Sequence, residues 1–587
     1  MSGRQRAAGL YLRCLGRARN AIAMRLLFTA ILSIVALAQV VTDREASEKV
    51  RVLYEAGAWA QAAKLAENAQ PRSADLEFYL GLAYVRLGEV DRARNALLGG
   101  YQNYPRDARF AEELAGLAYR DKHIPEAKRW LEQALNRNPE SEYANDFLGL
   151  LFLADDNLPA ALKYWNRIGK PDVHEVRLDP APTLNQLLLD RAIAVSAGQI
   201  LSVDRLQTTQ SNLERLGIPA GHGFALAAQQ GQQFDLTIRT AGGFGTAGGS
   251  LGGWAGRLMP YLRGLPYETV YFDLPSIGHD AIALSSFLRW DSNKRRMAIS
   301  LAGPVHLNPR WFYRVGIDAR DETWDLTTTY FARPGGLNGL KLRKIEAGGE
   351  FEYALTGRLA WTPGLWIARR DFRNQDQERF FTDSWSAQFR NGLKYLLWTW
   401  PEQRMHAEAS VHLDTGRIFT AAPGREVIAR GALSATWLPR ARGDDLAVNL
   451  HLGAGRIFGP APFDDYFMLG MERDNDPDLW LRAHVGTRDG RKGSAPMGTR
   501  YSLLQTEIEQ TVARFPLTRV QLAPFLDVGR VADSTGDFGS RGYLIDSGLQ
   551  ARIKTPGNLT LSLVYGRDLR HGGGVFYTTI TKSPGSQ

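Results

Sequence analysis

Residues whose types and spacing match known chemistry are few in this chain of 587 residues. Its one cysteine, Cys14, leaves the rest of the sequence without a disulfide, a thiolate metal site or a cysteine nucleophile. His406-x-Glu408 has the form of a deaminase fragment, but the cysteines that complete such a zinc site are missing. Gly243-x-Gly245-x-x-Gly248 would bind a dinucleotide only between a strand and a helix, and no amphipathic helix follows it. No His-Glu-x-x-His sequence occurs, and the one Gly-x-Ser-x-Gly string, Gly248-Gly249-Ser250-Leu251-Gly252, lies in a glycine-rich stretch with no amphipathic helix after it to form an elbow. The expectation is a protein that is not an enzyme, with no catalytic residue, metal site or cofactor. One carboxylate stands apart. Along Val520–Gly529, Val520, Leu522, Leu526 and Val528 share one face, while Gln521, Phe525 and Asp527 share the other. If that second face is enclosed, Asp527 needs water or a cation, and a bidentate guanidinium matches a carboxylate best.

The strand that carries Asp527 is one of many. In Met405–Asp414, Met405, Ala407, Ala409, Val411 and Leu413 alternate with His406, Glu408, Ser410, His412 and Asp414. Trp311–Arg320, Leu446–Leu452 and Tyr543–Lys554 divide in the same way. Strands of soluble sandwiches average about five or six residues, whereas tilted strands that cross a bilayer need about ten. These segments therefore predict a transmembrane antiparallel β-barrel over residues 257–580, apolar outside and polar within. Trp398 and Trp400, Tyr466 and Phe467, and Phe576 and Tyr577 are read as aromatic strand ends at its interfaces. A mean hydropathy of −0.27 excludes a bundle of membrane helices.

Upstream the texture differs. Residues 1–38 hold six arginines and no acidic residue, followed by an apolar run from Leu26 to Val41 with Ala36-Leu37-Ala38 inside it. This reads as a secretory signal peptide cleaved after Ala38, with Met24 as a second candidate start. Removing those six charges from the formal +9 leaves +3, too little for a nucleic-acid partner. Between residues 44 and 170 a 34-residue interval recurs: Ala93, Ala127 and Ala161; Leu97, Leu131 and Trp165; Pro105 and Pro139. Small residues let paired helices approach, bulky ones fill between them, and the prolines end each second helix. The pattern resembles the tetratricopeptide repeat (TPR), which implies an α-helical solenoid that recruits a partner and carries no chemistry of its own.

Residues 172–240 read as strand, helix, helix, strand, strand: a strand near Val173–Leu178, a first helix with Leu187 and Leu188, and a second opened by Ser202 and stopped by Gly217. Strands at Phe224–Ala228 and Phe234–Ile238 close the unit. That order resembles a POTRA domain, the small α+β module that precedes certain outer-membrane barrels. Residues 241–256, with eight glycines in sixteen, read as a linker.

The last 120 residues sharpen the resemblance. Phe467-Met468-Leu469-Gly470, Leu481-Arg482-Ala483-His484, Tyr501–Glu509, Phe525-Leu526-Asp527-Val528-Gly529 and Gly548–Tyr565 resemble, in order, the end of the outer-membrane protein 85 superfamily of insertases and secretion pores. That resemblance implies sixteen strands and a loop folded into the lumen. It also implies that Arg482, within the loop motif Leu481, Arg482, Ala483, His484, pairs with Asp527 of Phe525-x-Asp527-x-Gly529. Ala483 and His484 depart from the family's glycine and aromatic residue. The function implied is insertion or translocation of client polypeptides at the outer membrane, with the N-terminal modules in the periplasm. The partners implied are the outer-membrane bilayer, an unfolded or exported client and a periplasmic protein held by the repeats. The alternative is a TPR-barrel exporter of polysaccharide, a class that resembles this chain in its repeats and barrel but lacks the POTRA-like unit.

Overall fold

A computed structural model describes residues 44–582, apart from 70–71, 219–222, 230–232, 241–260, 262, 333–336, 375–380, 421–423, 441–444, 516–517 and 556–558. The signal-peptide and linker readings lie outside the described residues. The chain divides into two compact units, one ending at Leu151 and one beginning at Phe152.

The first unit is helical: α1 (44–55), α2 (Trp59–Asn68), α3 (Ala74–Leu87), α4 (Val90–Asn103), α5 (Arg109–Arg120), α6 (Ile124–Arg137) and most of α7 (Glu142–Ala154). With α8 (Leu158–Trp165), the helices α4 and α6 begin 34 residues apart, at Val90, Ile124 and Leu158. Ala93, Leu97, Ala127 and Leu131 are fully buried. Each leucine contributes roughly 1.5–3 kcal/mol by leaving water. Small residues set the approach: a Cβ on Gly81 would lie 2.5 Å from Leu97, and one on Gly100 2.1 Å from Phe110. Helix α1 ends just before Gly57, whose φ of +77° turns the chain into α2.

The second unit opens with the end of α7 and α8, then β1 (Asp172–Asp179), α9 (Gln186–Ala192), β2 (Gln199–Ile200), α10 (Val203–Arg215), β3 (Phe224–Ala228) and β4 (Gln233–Arg239). The sheet order is β2-β1-β4-β3, with β1 and β4 parallel and β3 at an edge. The two-residue β2 is an addition to the order read from sequence; it is too short to show a period. Ser202 caps α10 by accepting from the Arg205 N–H, and Gly217, at φ +76°, ends the helical segment.

The remainder is one sheet of long strands: β5 (Thr269–Ile277), β6 (Ile282–Trp290), β7 (Lys294–Val305), β8 (Asn308–Asp325), β9 (Asn338–Ala354), β10 (Leu359–Arg373), β11 (Ser384–Trp400), β12 (Met405–Phe419), β13 (Gly424–Trp437) and β14 (Leu446–Phe458) come first. After a long loop follow β19 (Arg500–Arg514), β20 (Arg519–Ala532), β21 (Leu544–Thr555), β22 (Leu559–Asp568) and β23 (Gly574–Lys582). The labels β15 to β18 are kept for four two-residue strands in the loop, at Phe467–Met468, Thr487–Arg488, Arg491–Lys492 and Met497–Gly498. Sequence neighbours pair antiparallel and the strands follow one another round a closed barrel. Fifteen long strands lie among the described residues, against the sixteen implied by resemblance.

The wall is inverted relative to a soluble protein. Large apolar side chains such as Ile317, Leu365, Ile367, Phe389, Val411, Leu413, Ile508 and Tyr565 are exposed on its outer face. Arg289, Lys344, Arg370, Asp527 and Asp546 are buried on the inner one. Two aromatic readings are corrected. Phe467 is buried and lies in the β14–β19 loop with Tyr466, and Tyr577 packs against Trp480 while its neighbour Phe576 points out. The period of two puts 576 and 577 on opposite faces, and the segment at 466–467 runs inside the barrel instead of ending a wall strand.

Candidate functional site

The β14–β19 loop, residues 459–499, leaves the barrel wall at one mouth and folds back into the lumen. Its two ends are zipped by β15 pairing with β18, and β16–β17 forms a hairpin turned at Asp489-Gly490, both with positive φ. The backbone doubles on itself where Met471 N–H donates to His484 O at 2.7 Å and Gly486 N–H donates to Met471 O at 2.8 Å. This holds residues 481–484 as a tip.

The tip meets a row of carboxylates. Asp527 on β20 is the register partner of Asp546 on β21, which is the partner of Asp568 on β22. Asp527 and Asp546 are wholly buried and Asp568 is 5% exposed. Like charges directly opposite repel, so such a row requires compensation. Successive loop residues supply it. Arg482 donates through Nε to Asp527 Oδ2 at 2.9 Å and through Nη2 to Asp527 Oδ1 at 2.6 Å, the bidentate fork. Its Nη1 also donates to Glu507 on β19, and its guanidinium lies 3.9 Å above the Phe525 ring. The Ala483 N–H donates to Asp546 Oδ2 at 2.7 Å. The His484 ring bridges Asp546, at 3.0 Å, and Asp568, at 3.6 Å.

The glycines explain the fit. A Cβ on Gly529 would sit 3.1 Å from Leu481, and one on Gly566 would sit 2.0 Å from the Arg482 carbonyl oxygen, inside any permissible contact. Each residue of the two sequence motifs is thus placed: Leu481, Arg482, Ala483 and His484 on the tip, and Phe525, Asp527 and Gly529 on the wall beneath it. Glu507, Asp546, Asp568 and Gly566 also belong to the site and were not singled out in the sequence. The His484 ring is hydrogen-bonded to Asp546 and lies within ion-pair distance of Asp568.

The approach to the tip has the opposite polarity. Arg370 on β10 holds both oxygens of Asp464 at 2.9 Å and Asp465 at 2.6 Å, and Lys344 on β9 lies 3.1 Å from Asp464. Arg289 on β6 grips Asp474 at 2.7 and 3.2 Å, joined by Arg296 on β7. Lys294 reaches Glu472 at 3.3 Å, and the loop's Lys492 reaches Glu322 on β8 at 2.8 Å. Burial pushes the Asp474 carboxyl up, but Arg296, Lys492 and Arg289 together hold it well below the usual range. The loop therefore spans the lumen, its acidic approach on a basic wall and its basic tip on an acidic one. An apolar cluster that includes Phe463, Met468 and Met497 with Trp324, Leu342 and Phe372 seals the loop base.

At the other mouth, Asn157 before α8 and residues of the small module meet the ends of four hairpins. Asn185 N–H donates to His279 O at 2.8 Å, Arg191 to His306 O at 2.9 Å, Arg215 to Glu352 at 2.6 Å and Asn157 to Pro401 O at 2.8 Å. A cleft of about 1030 Å³ opens between them, lined in part by Phe224 and Leu226 of edge strand β3 and by Lys394, His406 and Glu408 of the barrel. His174, Glu175 and Asp235 cluster on the module's sheet, with metal-ligand chemistry. Asp235 already bonds His174 and Gln229, and Glu175 bonds Arg177, so they form surface charge pairs.

No family model and no curated protein matches the sequence. Among solved structures the chain is similar to BamA from Haemophilus ducreyi lacking POTRA domains 1–3, at 14% identity over 70% of this chain and 84% of that one, with a TM-score of 0.40. It is similar to CdiB from Acinetobacter baumannii, at 13% identity over 79% and 86% with a TM-score of 0.41, and to CdiB from Escherichia coli, at 13% over 70% and 75% with a TM-score of 0.42.

Proposed function

We propose that this chain is an outer-membrane β-barrel of the outer-membrane protein 85 type, which inserts or translocates client polypeptides. In this reading the helical repeats recruit a periplasmic partner, and the POTRA-like module at the barrel mouth receives an extended client segment. The observation that carries the proposal is the loop folded through the lumen with Arg482 seated bidentately on Asp527. A belt of exposed apolar side chains on the outer wall is what a bilayer would cover. An edge strand such as β3 offers sequence-tolerant main-chain hydrogen bonds to an extended client. A barrel whose lumen is crossed by a loop fixed at both walls is not a passive conduit, which argues against the polysaccharide exporter.

The test is reconstitution of the protein in liposomes, with protease-protected insertion of an unfolded test barrel scored against empty vesicles. Faster insertion supports the proposal. A correctly folded protein that gives no acceleration but a steady, large conductance would replace it with the exporter.

A further inference from the structure

Arg482 accounts for the tip of the loop but not for its acidic approach. Arg289, Lys344 and Arg370 come from three wall strands, point inward and are almost withdrawn from solvent, and half-buried Arg296 on a fourth is shared with Asp318 of the wall; Asp464, Asp465 and Asp474 are their loop partners. Burying such charges is unfavourable, and apolar replacements of similar volume are often as stable or more so. The apolar cluster around Phe463 already fastens the loop base nearby. Anchorage alone therefore does not require this strip.

We propose that the strip is a binding surface for a carboxylate-rich segment of a client polypeptide, and that the loop's acidic approach is its built-in occupant, exchanged for the client when residues 464–474 lift from the wall while the Arg482 tip stays docked. The inference rests on the client-handling reading above and adds the chemical class that the lumen selects. Arg289, which grips Asp474 through Nη1 and Nη2, offers the same fork to a glutamate or aspartate of an incoming chain, and Arg370, whose Nε is shared by both Asp464 oxygens while its Nη2 donates to Asp465, offers two further donors. The opposite wall, with Glu507, Asp527 and Asp546, repels such a segment and keeps it on the basic side.

The probe is poly-L-glutamate added to the full chain in planar bilayers, with poly-L-lysine and an uncharged polymer of equal length as controls. The combined variant Asp464→Asn/Asp465→Asn/Asp474→Asn frees the strip. Its current should be blocked by polyglutamate and not by polylysine, and adding Arg289→Gln and Arg370→Gln should weaken the block by about tenfold or more. Should the triple variant fail to fold, wild-type protein serves: excess polyglutamate should speed tryptic cleavage of the loop at Arg473 and Arg491, and polylysine should not. Equal action by both polymers, block indifferent to the arginine changes, or block by a polyuronate where polyglutamate has none would overturn the inference. Polyglutamate block without client insertion would remove the client-handling reading alone; insertion without block would remove this inference alone.

Discussion

Arg482 is the cation on which the carboxylate row depends. Removing it leaves Asp527 buried without its charge partner, a loss of about 3–5 kcal/mol for a broken buried pair, while Glu507 keeps Arg552 at 2.6 Å. Arg482→Ala should undock the tip and slow client insertion while the barrel keeps its heat-modifiable migration on gels. Arg482→Lys should restore little, because an ammonium lacks the planar fork. Gly566→Ala offers a test that removes no charge: its Cβ would fall 2.0 Å from the Arg482 carbonyl oxygen. It should reproduce the Arg482→Ala defect, whereas Gly529→Ala, which meets only the Leu481 and Leu503 side chains, each at 3.1 Å, should be milder in the same insertion assay. The Arg482 and Asp527 segments were legible in the sequence because two short motifs resembled a family. Asp546 and Asp568 were not, because an inward carboxylate on an alternating strand reads like any solvated lumen residue until register aligns it with its neighbours.

The loop behaves as an element with two anchors of opposite sign. Asp464 and Asp474 are both held below the ordinary carboxylate range: burial pushes each up, and Arg370 and Lys344 on one and Arg296, Lys492 and Arg289 on the other outweigh it. A carboxyl whose folded-state pKa is depressed stabilises the docked loop above its unfolded value and loses that contribution as pH falls through the folded one. Conductance through planar bilayers should therefore stay constant from about pH 8 to about pH 4 and rise only below that range. A step near pH 6 would contradict the acidic anchor. In sequence, Tyr466-Phe467 reads as an aromatic strand end. Nothing local distinguishes an acidic loop in water from one laid on buried arginines, since the partners lie on β6, β7, β9 and β10, more than ninety residues away.

For the molecule as a whole, the division of faces is the feature that sequence alone displayed best. Alternation over long strands is a local property, and the outward Val411 and Leu413 and the buried Asp414 follow it. The 34-residue interval was equally legible, because the small residues Ala93, Ala127 and Ala161 repeat it, as do the starts of α4, α6 and α8. Strand number and the seating of Asn157 and the small module against the ends of four hairpins were not legible, since both depend on contacts between distant segments. If the outer face meets lipid, Val411→Arg should destabilise the barrel by roughly 2–4 kcal/mol, while His412→Gln on the inner face should be nearly silent, as read by urea titration of gel migration in bilayers. Equal effects would argue against a lipid-facing wall.

The central claim is that the Arg482–Asp527 pair holds the loop in the state that handles clients. A double-mutant cycle tests it most directly: insertion rates in liposomes for the wild type, Arg482→Ala, Asp527→Ala and the double variant. The account predicts that each single change slows insertion and that the double variant is no slower than the worse single one. Wild-type rates in the single variants, or losses that simply add in the double, would contradict it.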